Sequence, residues 1–135
     1  MSEDAKKKLK DLAKQVRDKV AVSGLALLHQ KGLELVEDMA TELASPDGMP
    51  GLRVLRDSAH KLRLQRPQRN AEITIEWHRD IGALSMTCEK HGEPKRMVRY
   101  VHDEALAKWR KLDGGGEVWE DLTAALVEYL YPEGS

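Results

Sequence analysis

Along the first third of the chain, apolar residues return at helical intervals. Leu9, Leu12, Val16, Val20, Leu28, Val36, Met39 and Leu43 stand mostly three or four residues apart, or at multiples of those steps, which lines apolar side chains along one side of a helix. The spacing predicts a helix over residues 2–43, inside an N-terminal helical region 1–44. Unbroken, it would measure about 60 Å, against the ~35 Å expected across a compact domain of this size. The helix is therefore expected to break or to protrude. Gly24 and Gly32 are the expected breaks, because glycine costs about 1 kcal/mol in a helix interior. The highly charged first five turns are the part expected to project. Pro46, Gly48, Pro50 and Gly51 then end the pattern, since proline and glycine both disfavour continued helix.

From residue 52 to about 112 the period falls to two, the mark of strands with one buried face. Turns near 57–59, 67–70, 80–81 and 90–94 fold this region into an antiparallel meander. One cross-strand row then reads Val54, Leu62, Ile75, Met86, Val98, and a second reads Leu52, Leu64, Ile73, Cys88, Arg96. A third, Arg56, His60, Trp77, Leu84, Tyr100, closes the same apolar face. The opposite face is polar, with Lys61 beside Glu76, Ser85 and Arg99, and Gln65 beside Glu72, Glu89 and Lys95, an arrangement suited to cross-strand ion pairs. Residues 103–112 admit strand or helix. A turn at 103–106 makes 108–112 a sixth strand and sets Trp109 opposite Tyr100. Val118, Leu122, Leu126 and Leu130 mark a C-terminal helix over 117–131, with acids in its first turn, where the helix dipole favours them. One apolar sheet face with two helices to cover it predicts a single α+β domain over 1–135. Its expected form is a two-layer sandwich: a long N-terminal helix, a five- to six-stranded antiparallel meander sheet over 52–112, and the C-terminal helix.

Composition adds three limits. At 135 residues the chain has room for one core. Its lone cysteine, Cys88, excludes an intramolecular disulfide, and no apolar run reaches the ~20 residues that span a bilayer. The start of the chain lacks an apolar signal segment, so a cytoplasmic protein without a membrane partner is expected. The near-balance of 22 bases and 23 acids conceals segregation: residues 53–111 hold 14 bases against 8 acids, and 112–135 hold six acids and no base.

Candidate chemistry is sparse. Cys88 and His91 have the spacing that begins a zinc site, but His78 and His102 fall at the far end of the strands and on opposite faces, so no metal site is expected. Cys88 lies under the helices in this register, and a buried thiol is inert. Ser85 has no histidine beside it in its row, so a nucleophilic triad is not expected either. Gly114, Gly115 and Gly116 precede a helix, but acids rather than Lys or Ser/Thr follow, and the segment reads as a turn. No catalytic residue, metal or cofactor is assigned, and an enzyme is not expected. Two binding alternatives remain. Arg53, Arg56, Lys61, Arg63, Arg66 and Arg69 form a basic stretch opposed only by Asp57, which would suit nucleic-acid phosphates. His60, Trp77 and Tyr100 at the sheet margin would suit a small molecule, given a pocket between sheet and helices.

The order helix, meander, helix, with Trp109 on the last strand and the turn at 113–116 before the terminal helix, resembles the frataxin-like arrangement. The resemblance is one of architecture. The acidic first helix with which that family binds iron has no counterpart, because bases equal acids across residues 1–44, and iron chemistry is not carried over. The helix is instead polarised: residues 1–19 carry seven bases and four acids, residues 20–44 one base and four acids. Ends of opposite sign suit antiparallel self-pairing. The leading expectation is a non-enzymatic protein-interaction or adaptor module, a homodimer or a binder of another protein, acting through the long helix or the exposed sheet face.

Overall fold

A computed structural model describes residues 3–113 and 115–134, with the side chains of 16–23 and 134 excluded. The first helix, α1, runs from Glu3 to Ala44 without interruption. At ~1.5 Å per residue it is about 63 Å long, so the excess length projects rather than folding back. Neither glycine breaks it. Six strands follow as a simple meander in the order β1 to β6: Arg53–Ser58, Lys61–Gln65, Ala71–His78, Ala83–Lys90, Arg96–Asp103 and Lys108–Lys111. All neighbouring pairs are antiparallel. The second helix, α2, spans Val118–Ala125 and widens into a π turn, Leu126–Leu130, before a short final 3-10 turn. Glu117 caps α2 by accepting a hydrogen bond from the Glu120 amide.

The expected rows hold across the four central strands. Leu62, Ile75, Met86 and Val98 face one another in sequence, as do Leu64, Ile73, Cys88 and Arg96, and Trp77, Leu84 and Tyr100. Both outer hairpins differ by two residues. Val54 lies opposite Leu64 rather than Leu62, and Arg56 opposite Leu62 rather than His60, because the β1–β2 ladder shifts between Arg56 and Ser58 and closes through Ala59 and His60. Arg63 grips the intervening Asp57 with two hydrogen bonds, of 2.7 and 3.0 Å. At the other edge the sixth strand forms, but Trp109 pairs with His102 and not with Tyr100. The turn there occupies 104–107, with the Leu106 amide donating to Asp103 and Ala107 in the left-handed region at φ 51°. A slip of two leaves every side chain on its expected face, so neither change disturbs the core.

That core lies between the apolar sheet face and two helices set side by side. Leu62, Leu64, Ile73, Ile75 and Leu84 from the sheet meet Val36 and Met39 from α1 and Val118, Leu122 and Leu130 from the C-terminal segment, all nearly inaccessible. Residues 28–43 of α1 cover the end of the sheet where β1–β2, β3–β4 and β5–β6 turn. Gly32 makes this seating possible. A Cβ built there would fall 2.2 Å from the Trp77 ring, so only glycine lets the helix backbone rest on the indole. The indole nitrogen in turn donates to His29 Nδ1 at 2.8 Å, and the Trp77 ring meets Trp109 edge-on at 5.6 Å. At the opposite end Arg66 fastens the C-terminal segment. It donates to the Leu130 carbonyl at 2.9 Å, pairs with Glu133 and lies over the Tyr131 ring, placing a cation at a helix C-terminus.

The two glycines of α1 therefore predict opposite outcomes. Gly32→Ala is expected to destabilise the domain by about 1–3 kcal/mol, the usual cost of overpacking, read from the urea midpoint. Gly24 has no neighbour within 4 Å, so Gly24→Ala is expected to spare global stability and to increase helicity by circular dichroism, as alanine is favoured by about 1 kcal/mol.

Candidate interaction surface

The first half of α1 has no sheet beneath it. Leu9, Leu12, Leu25 and Leu27 are each more than half exposed, at 60%, 56%, 65% and 60%. At 100° per residue, Leu9, Leu12 and Leu27 share one side, whereas Leu28, Gly32, Leu35, Met39 and Leu43, which meet the sheet, are centred roughly 140° further round. What the sequence presents as one amphipathic stripe is thus two stripes on different sides. The distal stripe cannot reach its own sheet. On the side that carries Leu9 and Leu27, the seated half of the helix presents the exposed acids Glu34, Asp38 and Glu42, none in an ion pair among the described residues. Glu37, to one flank, pairs with Arg56.

At the base of the projecting segment the turns between strands form a shallow groove of about 690 Å³, lined by His29, His60, Glu76, Trp77, His78, Arg79 and Asp80. Of the three residues expected to form a small-molecule site, it brings together His60 and Trp77. Tyr100 lies elsewhere, buried below α2 with its hydroxyl donating to Asp121 at 2.7 Å. Burial, then that carboxylate, pushes its phenol well above the usual range. Trp77 is only 2% exposed, so it offers the groove little surface.

The basic stretch is divided rather than gathered. Alternation places Lys61 and Arg63 on the open face, while Arg56 and Arg66 turn to the helix side to meet Glu37 and Glu133. Arg63 is held between Asp57 and Glu72, and Arg69 pairs with Glu133. The Arg63 hydrogen bonds lower the Asp57 carboxyl below its ordinary value. Among the described residues, Arg53 and Lys61 alone of the six form no ion pair, and the expected Lys61–Glu76 contact is a register neighbour rather than a salt bridge.

One detail differs from the sequence reading of Ser85. It is buried at 4% exposure, as is Ala83, on the face away from the helices, and its hydroxyl lies 2.8 Å from His78 Nε2. His78 reaches it diagonally, from beside Ala83, the position two before Ser85, a contact that inspection of a single row misses. Among the described residues no carboxylate holds the other His78 nitrogen, so the pair lacks the third group that orients a catalytic base. No cluster of three or more His, Cys, Asp or Glu arranged to hold a metal occurs among the described residues. Cys88 is on the helix-covered face and His91 is exposed in the β4–β5 turn. No described helix is long and apolar enough to cross a membrane.

Burial pushes the Cys88 thiol up to about 11 from an ordinary 9.0. Cys88 and Tyr100 are both held neutral in the fold, so their contribution to stability is complete below the unfolded thiol value and is lost as pH rises through the folded one. The urea midpoint is expected to be flat up to about pH 9 and to fall towards pH 11. A Cys88→Ala variant should show a shallower fall.

The comparisons with known proteins come out without a likeness to set beside this geometry: no protein-family model, no curated protein and no solved structure matches the chain.

Proposed function

We infer that this protein is a non-enzymatic interaction module, in which the α+β domain holds one end of a helix and presents the other to a protein partner. A single observation carries the reading: a continuous helix whose distal half exposes Leu9, Leu12 and Leu27 on a side turned away from its own sheet. Helices without tertiary contacts are marginal in water even at 12–15 residues of alanine-rich sequence, roughly. This segment is richer in lysine than in alanine, and burial against a partner supplies what propensity does not. Each leucine so covered is worth about 1.5–3 kcal/mol. The near-neutral first turn, where Glu3 and Asp4 precede the lysines, also suits a protein surface better than an anionic membrane.

The nucleic-acid alternative draws less support. Four of its six cations already meet carboxylates, and they divide between two faces. Trp77 and Trp109 are buried, which removes them as stacking platforms. The small-molecule alternative retains an open groove without converging polar groups.

Size exclusion with light scattering, run on untagged protein at low salt with absorbance at 260 and 280 nm, tests the reading. The expected particle mass exceeds the 15.2 kDa of one chain. In the Leu9→Glu, Leu12→Glu double variant it should fall to one chain mass while the thermal midpoint of the domain is unchanged. A single-chain mass for the unaltered protein at all concentrations overturns the reading. Excess 260 nm absorbance that vanishes at high salt would replace it with the nucleic-acid alternative.

A further inference from the structure

We propose that a second groove, between α1, the β5–β6 turn and α2, binds a guanidinium group, and that its ligand is an arginine side chain on a basic segment of another polypeptide. The site lies on the seated half of α1 and makes no use of the projecting leucines.

The groove encloses about 400 Å³. Leu35 of α1 and Trp109 of β6, 6% and 8% exposed, give it an apolar floor, and the half-buried Trp119 of α2 forms a wall. Edge-on contacts with Trp77 and His102 fix the Trp109 ring. Three carboxylates stand round this floor, Glu34 and Asp38 from α1 and Glu104 from the turn, with one base, Lys31. Lys31 is engaged by Glu104 at 3.0 Å. Glu34 and Asp38 are exposed and meet no cation among the described residues, although Glu34 accepts from Gln30 at 3.1 Å. The groove is therefore negative on balance.

His102, also in the groove wall, adds an observation of a different kind. Its side chain is 9% exposed, and its Nδ1 lies 3.1 Å from a Glu104 oxygen. An ionised carboxylate only accepts, so Nδ1 carries the proton and Nε2 of the neutral ring is left as an acceptor. Nε2 has no partner among the described residues. A nearly buried acceptor of this kind requires a donor from outside the chain.

An indole wall, unpaired carboxylates and a vacant acceptor together call for a flat cation rich in N–H groups. Guanidinium meets each requirement, since it stacks on aromatic rings and carries five donors. A metal ion does not, because no three His, Cys, Asp or Glu among the described residues are arranged to hold one. A polypeptide source follows from the acids that continue past the groove. Glu34, Asp38 and Glu42 step along α1 at about 6 Å intervals, and Glu42, outside the groove, is exposed and likewise without an ion pair among the described residues. One guanidinium fills the groove, and a neighbouring base of the same segment reaches Glu42.

Indole N–H resonances of the full chain test the proposal, with a blocked Arg-Gly-Arg peptide, its citrulline counterpart and ethylguanidine as probes at matched ionic strength. The arginine peptide is expected to shift the Trp109 and Trp119 signals saturably, with Trp77, bonded to His29, moving least. The neutral citrulline peptide should bind about tenfold more weakly or less. Equal binding of the two would overturn the cation requirement. Glu34→Gln with Asp38→Asn, at exposed positions, should leave the thermal midpoint in place and weaken the arginine peptide about tenfold. Unchanged affinity there would overturn the site. Glu42→Gln should weaken the peptide about threefold and leave ethylguanidine unaffected. Identical affinities for ethylguanidine and the peptide would overturn the polypeptide source. These substitutions lie on the seated half of α1, so their outcome is separate from that of the Leu9→Glu, Leu12→Glu pair.

Discussion

The close approach of α1 to the sheet at Gly32 governs the rest of the architecture. A single-layer antiparallel sheet with one apolar face must be covered, and among the described residues α1 and the C-terminal helical segment do it. The C-terminal segment covers one half, anchored by Arg66 at its end. The other half is covered by α1 because its backbone lies directly on Trp77, with His29 accepting the indole hydrogen that burial would otherwise leave without a partner. From that contact a buried aromatic row continues through Trp109 to His102. Lys31 and Glu104 close the row at the surface.

Much of this was legible in the sequence because a sheet obeys a strict rule. Successive side chains alternate faces, so apolar residues at every second position, interrupted by recognisable turns, leave few registers that bury all of them. Leu62, Ile75, Met86 and Val98 could be aligned before any coordinates. The outer hairpins were less determined. Val54 and Leu52 are interchangeable to a pattern of apolar and polar residues, and the register that forms is accompanied by a side-chain interaction, the grip of Arg63 on Asp57, that such a pattern does not contain. The turn before β6 escaped for a related reason: Ala107 adopts a left-handed backbone usually reserved for glycine or asparagine.

The long helix shows a different limit. Spacing by threes and fours identifies a helix, but the phase of the stripe states where the partner must lie, and Leu9 and Leu28 do not share a phase. Marking Gly32 as a break followed from helix propensity alone, and tertiary packing reversed it, because the missing side chain is what the indole requires. The division of the basic stretch was also outside what linear spacing can show. Six cations in 17 residues look like one patch, yet alternation sends them to two faces, and four find carboxylates there, Glu37 and Glu133 on helical elements distant in sequence.

The uninterrupted course of α1 has a mechanical consequence. With no hinge between its seated and projecting halves, the helix behaves as a lever whose fulcrum is the contact of Gly32 with Trp77. Its tip, at Glu3, stands about 43 Å from that fulcrum at ~1.5 Å per residue. A rotation of about ten degrees at the indole would sweep the tip through roughly 7 Å over that length, more than one helical turn. Small changes in how the helix rests on the sheet are thereby magnified into large displacements at a distance, and the packing of one tryptophan sets where the far end of the arm can be found.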